Sequence, residues 1–130
     1  MNRTTEIRNE KGQAMTEMAI VLPVLCLVLF GIFQFGILFN NYVTLTDAVR
    51  AGARTAAVSR SDADPTGATT AAVRNSGADL DQSQLNVTVT SSWNAGSDVT
   101  VTATYPYSIS LLGLVVTSGT LVSKTTERVE

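Results

Sequence analysis

From Met18 to Phe39 the chain reads MAIVLPVLCLVLFGIFQFGILF, with Gln34 as its one strongly polar side chain, and no charged residue falls between Glu17 and Asp47. At a rise of roughly 1.5 Å per residue this run makes a helix about 33 Å long, enough to cross a hydrocarbon core of about 30 Å. A helix that is apolar on every side also suits a large protein interior, but the rest of a 130-residue chain offers few apolar faces to surround one. A cleaved secretory signal is the other alternative, since Arg3, Arg8 and Lys11 precede the run. The run is longer than the roughly 7 to 15 apolar residues of such a signal, and no clear A-x-A site follows it. The reading is therefore an uncleaved membrane span at about residues 18–39. Counting basic residues leaves its orientation open, because Arg50, Arg54 and Arg60 balance the three upstream. Lys11 at the membrane edge and the larger downstream part favour a cytoplasmic N-terminus.

Composition removes several classes of function. Hydrophobic residues make up 45 % of the chain and charged ones 15 %, and a formal charge of -2 provides no basic field for a nucleic-acid backbone. With no histidine and a single cysteine, Cys26, there is no zinc-finger spacing, Ser-His-Asp triad, Cys-His pair or intrachain disulfide. The acids Asp62, Asp64, Asp79 and Asp81 lack the spacing of an EF-hand loop and read as solvated loop residues. A Ser123–Lys124 dyad is excluded on a strand, where neighbours face opposite sides. The expectation is a non-catalytic protein without metal, cofactor or small-molecule substrate.

Downstream of the span, residues 39–59 contain no proline and favour helix, so one helix is expected over 13–59. Ala48, Gly52 and Ala56 fall at i, i+4 and i+8, a small-residue stripe that lets another helix or a sheet approach closely, and Gly52 is a candidate subunit or membrane contact. Arg50 and Arg54 share a different face, with Asp47 one turn before Arg50; they form either a solvated face or a contact with lipid headgroups or a neighbouring subunit. Residues 60–83 shift to Ser, Thr, Asp, Gly and Pro and read as a connection. Within it Thr66–Asn75 is expected to form a short helix, capped by Thr66 or Asp64 and ended near Gly77.

Residues 84–130 read as a small antiparallel β unit. Leu85, Val87 and Val89 alternate with polar residues, as do Val99, Val101, Ala103 and Tyr105, which marks two half-buried strands. The SSWNAGS segment between them closes a hairpin, with Trp93 near its tip as part of the fold or an exposed contact. Pro106 is expected to stop the second strand. Tyr107–Val116 is too short to recross a bilayer, and Thr120–Val129 makes a plausible third strand. The fold class is α+β: a long N-terminal transmembrane helix continuing outside the membrane and packed on a two- to three-stranded sheet.

Lys11-Gly12-Gln13-Ala14-Met15-Thr16-Glu17-Met18 stands immediately before the apolar run. A glycine follows a basic residue, and a lone carboxylate sits five residues beyond it. This spacing resembles the processing site of type IV prepilins, which a membrane aspartic peptidase on the cytoplasmic face would cut between Gly12 and Gln13. Residues 1–12 would then be a leader. A residue without Cβ lets the backbone enter a narrow cleft in extended form. Glu17 needs a partner, because a carboxylate in an apolar helix costs a few kcal/mol at full depth and less near the interface. Cleavage would create an amine about one helical turn away, in the same subunit or a neighbour, able to offset that cost. The alternative is that Glu17 merely lies at the cytosolic interface.

Together with Pro23, the Gly31–Gly36 aromatic stretch and the Ala48–Arg54 segment AVRAGAR, this motif resembles the TadE-like family of minor pseudopilins of tight-adherence (Flp) pilus systems. The resemblance covers residues 12 to about 58. Met18 stands where major pilins of such systems carry an aromatic residue, which argues for a minor subunit. It implies a pilin-like protein of the bacterial cytoplasmic membrane, single-pass, with its N-terminus inside and its C-terminal domain periplasmic or extracellular. It also implies a prepilin peptidase, other pilins or pseudopilins and the pilus assembly machinery as partners. In that setting Gly12 and Gln13 form the processing site, and Glu17 and Pro23 act in assembly. Pro23 would soften the helix, although membrane helices also tolerate proline without special purpose. Cys26 reads as a small apolar filler, and Gln34 as bonded either across to another helix or to its own backbone. A rival reading is a single-pass envelope adapter or binding module that never enters a filament.

Overall fold

The computed structural model describes residues 3–111 and 113–130, with side chains from Gly12 onward; the side chains of Arg3, Arg8 and Lys11 lie outside the described residues. The first helix, α1 (Arg3–Val58), runs unbroken through Pro23 and ends in a single 3-10 turn over Ser59–Ser61. Its upstream end passes Gly12, where the sequence reading began the helix at 13. The second helix, α2 (Pro65–Ser76), extends one residue beyond the expected Thr66–Asn75 at each end, and of the two expected caps it is Asp64 that accepts from the Gly67 N–H, at 2.8 Å, with Pro65 in the first turn. Gly77 ends it, its N–H bonded to the Val73 carbonyl.

Three strands follow, β1 (Asn86–Ser91), β2 (Asp98–Leu111) and β3 (Leu114–Arg128), in one antiparallel sheet of order β1-β2-β3. The first hairpin pairs Asn86 with Thr104 through Ser91 with Val99. Its loop contains Gly96 at φ 79° and Trp93 at φ 55°. The bulky Trp93 tolerates that left-handed backbone while lying half-buried against the core.

The second hairpin differs from the sequence expectation. β2 does not stop at Pro106 but continues to Leu111, and β3 begins at Leu114 rather than Thr120. Pro106 pairs with Thr120 and lies beyond the last β1 partner, Asn86 opposite Thr104. One edge of β2 is already free there, so a residue without an N–H is tolerated. Tyr107 pairs with Gly119, and a Cβ on that glycine would come within 2.9 Å of the tyrosine ring. The register shifts between Ile109 and Ser110, leaving Val116 as the extra residue, and Gly113 at φ 84° forms the tip.

The core lies between the sheet and the C-terminal third of α1. Leu45, Ala48, Val49, Ala53 and Ala56 of α1 are buried with Val73 of α2, Leu80, Leu85, and Val99, Val101, Ala103 and Val129 of the β unit. Buried and polar residues alternate along β2 from Val99, so its inner face is the one that covers the helix. At one end of this stack the Glu130 N–H donates to the Ala57 carbonyl. Toward the other, Tyr105, Pro106, Tyr107, Ser108 and Ile109 line a crevice with Gln34, Ile37, Leu38 and Asn41. Gln34 to Ala57 on α1 and Asp98 to Ile109 on β2 both span about 35 Å, at roughly 1.5 and 3.3 Å per residue. The long hairpin therefore runs alongside α1, back toward the apolar segment.

Candidate assembly and processing segment

Over the first turns after Gly12 the side chains bond along the helix. The Thr16 hydroxyl donates to the Gly12 carbonyl at 2.9 Å, and the Gln13 amide donates to Glu17 Oε1 at 3.1 Å. Gln13 and Glu17 are one turn apart on the same helix face, both exposed. The carboxylate thus has a neutral donor from the residue whose backbone nitrogen would become an amine on cleavage. Gly12 itself lies in the helix, with open space around its Cα hydrogens. Cutting after it in an extended form requires this turn to unwind, which a glycine eases.

Beyond Glu17 the apolar segment is bare. Ile20, Leu22, Val24, Phe30, Phe33 and Phe35 are all exposed. An 18-residue window of this helix meets the length and composition needed to cross a membrane, with none of it buried in the chain, which rules out the buried core helix. Among the described residues it is the single helix of this kind, the arrangement of a single-pass membrane protein. Pro23 removes the N–H that would bond the Ala19 carbonyl, leaving that acceptor to other partners. Cys26 is exposed on the same bare surface.

Half-buried positions on this part of α1 form one stripe: Gly31, Gln34, Leu38 and Asn41, leading into buried Leu45 and Ala48. Their spacing of three and four is that of a single helix face, and the long hairpin covers it. Gln34 therefore faces the crevice with Tyr105–Ile109. The stretch 105–116 is what sequence reasoning missed. Its signal was the alternation of Ile109 and Leu111 before Gly113, which Pro106 obscured.

Further along α1, Arg50 and Arg54 are exposed, and Arg50 lies 3.7 Å from Asp47. At 62 % and 67 % side-chain exposure this pair contributes ~1 kcal/mol at most. Gly52 is different. It is buried where α2 crosses α1, and a Cβ there would overlap Val73 Cγ2. The element that approaches the small-residue stripe is the chain's own second helix, which corrects the reading of Gly52 as a subunit or membrane contact. The loop acids act locally: Asp64 caps α2, and Asp81 accepts from the Ser83 hydroxyl, the Ser83 N–H and the Gln84 amide. Those bonds, led by the Ser83 hydroxyl, hold the Asp81 carboxyl below its usual range.

Residues 12–54 match the family model described as TadE-like protein. Gly12, Gln13, Glu17, Pro23, Arg50, Gly52 and Arg54 all fall inside the match, and the whole sheet falls outside it. Neither a curated protein nor a solved structure matches the chain.

Proposed function

We propose that this TadE-like chain is a minor pseudopilin, a structural component in the assembly of a tight-adherence pilus, matured by a prepilin peptidase that cuts between Gly12 and Gln13. One observation carries the reading. A lone exposed carboxylate, Glu17, stands one turn after the Gly12–Gln13 bond at the head of an uncharged apolar helix that is bare from Met18 to Phe30.

The residues supply the steps of maturation and packing. Insertion places α1 across the cytoplasmic membrane with Gly12 on the cytoplasmic face, held by the apolar segment. The peptidase draws the Gly12 turn into extended form, and loss of the Thr16 bond to the Gly12 carbonyl is the local cost, about 1 kcal/mol. Hydrolysis gives Gln13 a free, charged amine within one helical turn of Glu17. That amine replaces a neutral amide donor with a charge-assisted one, a stronger bond in low dielectric. Between subunits the same pair sets the axial register of one apolar rod on the next, while the α/β unit projects outside the membrane.

N-terminal sequencing of the membrane-extracted protein, made beside the cognate peptidase, tests this. The proposal expects the mature chain to begin at Gln13 and a Gly12→Leu variant to stay full length. An intact N-terminus in both, with the peptidase active on another substrate, overturns it in favour of an anchored envelope adapter.

A further inference from the structure

We infer that the tip of the long β2–β3 hairpin is a lipid-binding element, docking into the interface of the same bilayer that α1 spans, on the side of the α/β unit. The inference rests on the membrane-span reading of α1 but not on cleavage or filament entry.

Placement comes first. The hairpin runs along α1 toward the apolar segment, bringing Ile109 to Gln34 and Ile37. Two more residues of strand, roughly 7 Å, take the Leu111–Leu114 pair level with Phe30 or Gly31. Burial agrees: Gly31 is half-buried, whereas Phe30 and Ile32 on either side are exposed. Gly31 lies eight residues before Phe39, so the tip passes the end of the apolar run by about 12 Å. A bilayer placed on α1 therefore meets the hairpin.

Chemistry comes second. No charged residue occurs between Asp98 and Lys124, the stretch that forms nearly all of the hairpin. At its tip Leu114, Val115 and Val116 are 76 %, 64 % and 62 % exposed, a contiguous apolar patch beside the bare helix. Tyr107, two strand residues or roughly 7 Å behind Ile109, lies at the level where amphipathic rings meet headgroups. Backbone accounting limits the depth. From Tyr105 onward β2 has a partner on one side only, and β3 is an edge strand. Open edges are not tolerated in hydrocarbon, so the tip rests at the headgroup–acyl boundary, which then lies near Gly31–Gln34 rather than at Phe39, and a core of about 30 Å reaches back along α1 to about Ala14, with Glu17 close to its other edge.

The test uses the full chain in the Cys26→Ala background, reconstituted in phosphatidylcholine–phosphatidylglycerol vesicles. An environment-sensitive fluorophore is placed by Val115→Cys at the tip, Val24→Cys in the span or Asn94→Cys at the opposite end of the sheet. Lipids carry a nitroxide either near the carbonyl or deep in the acyl chain. The proposal expects the Val115 probe to emit at shorter wavelength than the Asn94 probe and to lose most of its fluorescence to the shallow nitroxide. The Val24 probe is expected to be quenched more by the deep one. A Val115 probe that is not quenched while Val24 is, whatever its emission, overturns the lipid site; a blue-shifted one would instead mark a protein neighbour, such as a second copy. A Val24 probe that is not quenched removes the span and the hairpin site with it.

Discussion

At the scale of single residues, glycines separate two kinds of position. Gly12 is in open space, so replacing it leaves the fold intact and, on the proposed function, bears only on cleavage. Gly52 has no such room. We predict that Gly52→Val, by forcing α2 away from α1, destabilises the α/β unit by ~1–3 kcal/mol. The half-buried Trp93 reports this as a lower midpoint in thermal unfolding followed by fluorescence in detergent. Asp64→Ala removes the α2 cap and is expected to cost ~1 kcal/mol in the same assay. Asp81 gives a pH signature. Its folded pKa lies below the ordinary value of 3.8, so its bonds to Ser83 and Gln84 stabilise the fold above that value. That contribution is lost as pH falls through the folded value. Asp81→Asn should therefore flatten this acid-side slope, measured as unfolding midpoint against pH; an unchanged slope would show that the turn does not depend on the charge.

At the scale of elements, the sequence was legible wherever one period ruled. The uncharged run marked α1, the alternative caps Asp64 and Thr66 together with Gly77 bracketed α2, and the alternation around Val87 and Val101 marked the first hairpin with its inner face. What escaped was set by neighbours in space. Pro106 reads as a strand stop because a central strand needs every N–H, yet β1 is too short to reach it, and that shortness shows only once the sheet is paired. Gly52 read as an outward contact because nothing local shows that α2 folds back across α1 there. The Gly12 to Glu17 spacing was visible in the sequence, but the Gln13–Glu17 bond depends on α1 continuing upstream through Gly12. The hairpin tip supplies a prediction at this scale. Gly113 adopts φ 84° in open space, so Gly113→Val strains only the backbone and should cost ~1–2 kcal/mol, lowering the unfolding midpoint without changing membrane extraction.

At the scale of the whole molecule, α1 divides into a third that the chain buries for itself and a longer part that it leaves to others. The buried third fixes the α/β unit rigidly to the rod, since Leu45 to Ala56 are core residues. The bare part has no stable resting place in water: each exposed Leu, Ile or Phe costs ~1.5–3 kcal/mol relative to burial. Lipid supplies the cover first, and neighbouring rods supply it if the subunit enters a filament. In that second setting Glu17 must be matched by an amine, because an unpaired carboxylate among apolar helices is costly. Glu17→Gln keeps the shape and the bond to Gln13 within reach but removes the charge. We predict that it is inserted and cut after Gly12 as wild type is, while its share of the sheared pilus fraction falls about tenfold, the effect of ~1.4 kcal/mol lost per subunit contact. Quantifying the chain by immunoblot in membrane and sheared fractions checks this. Equal incorporation of Glu17→Gln and wild type would remove the charge pair from assembly and leave Glu17 as an interfacial residue of the membrane helix.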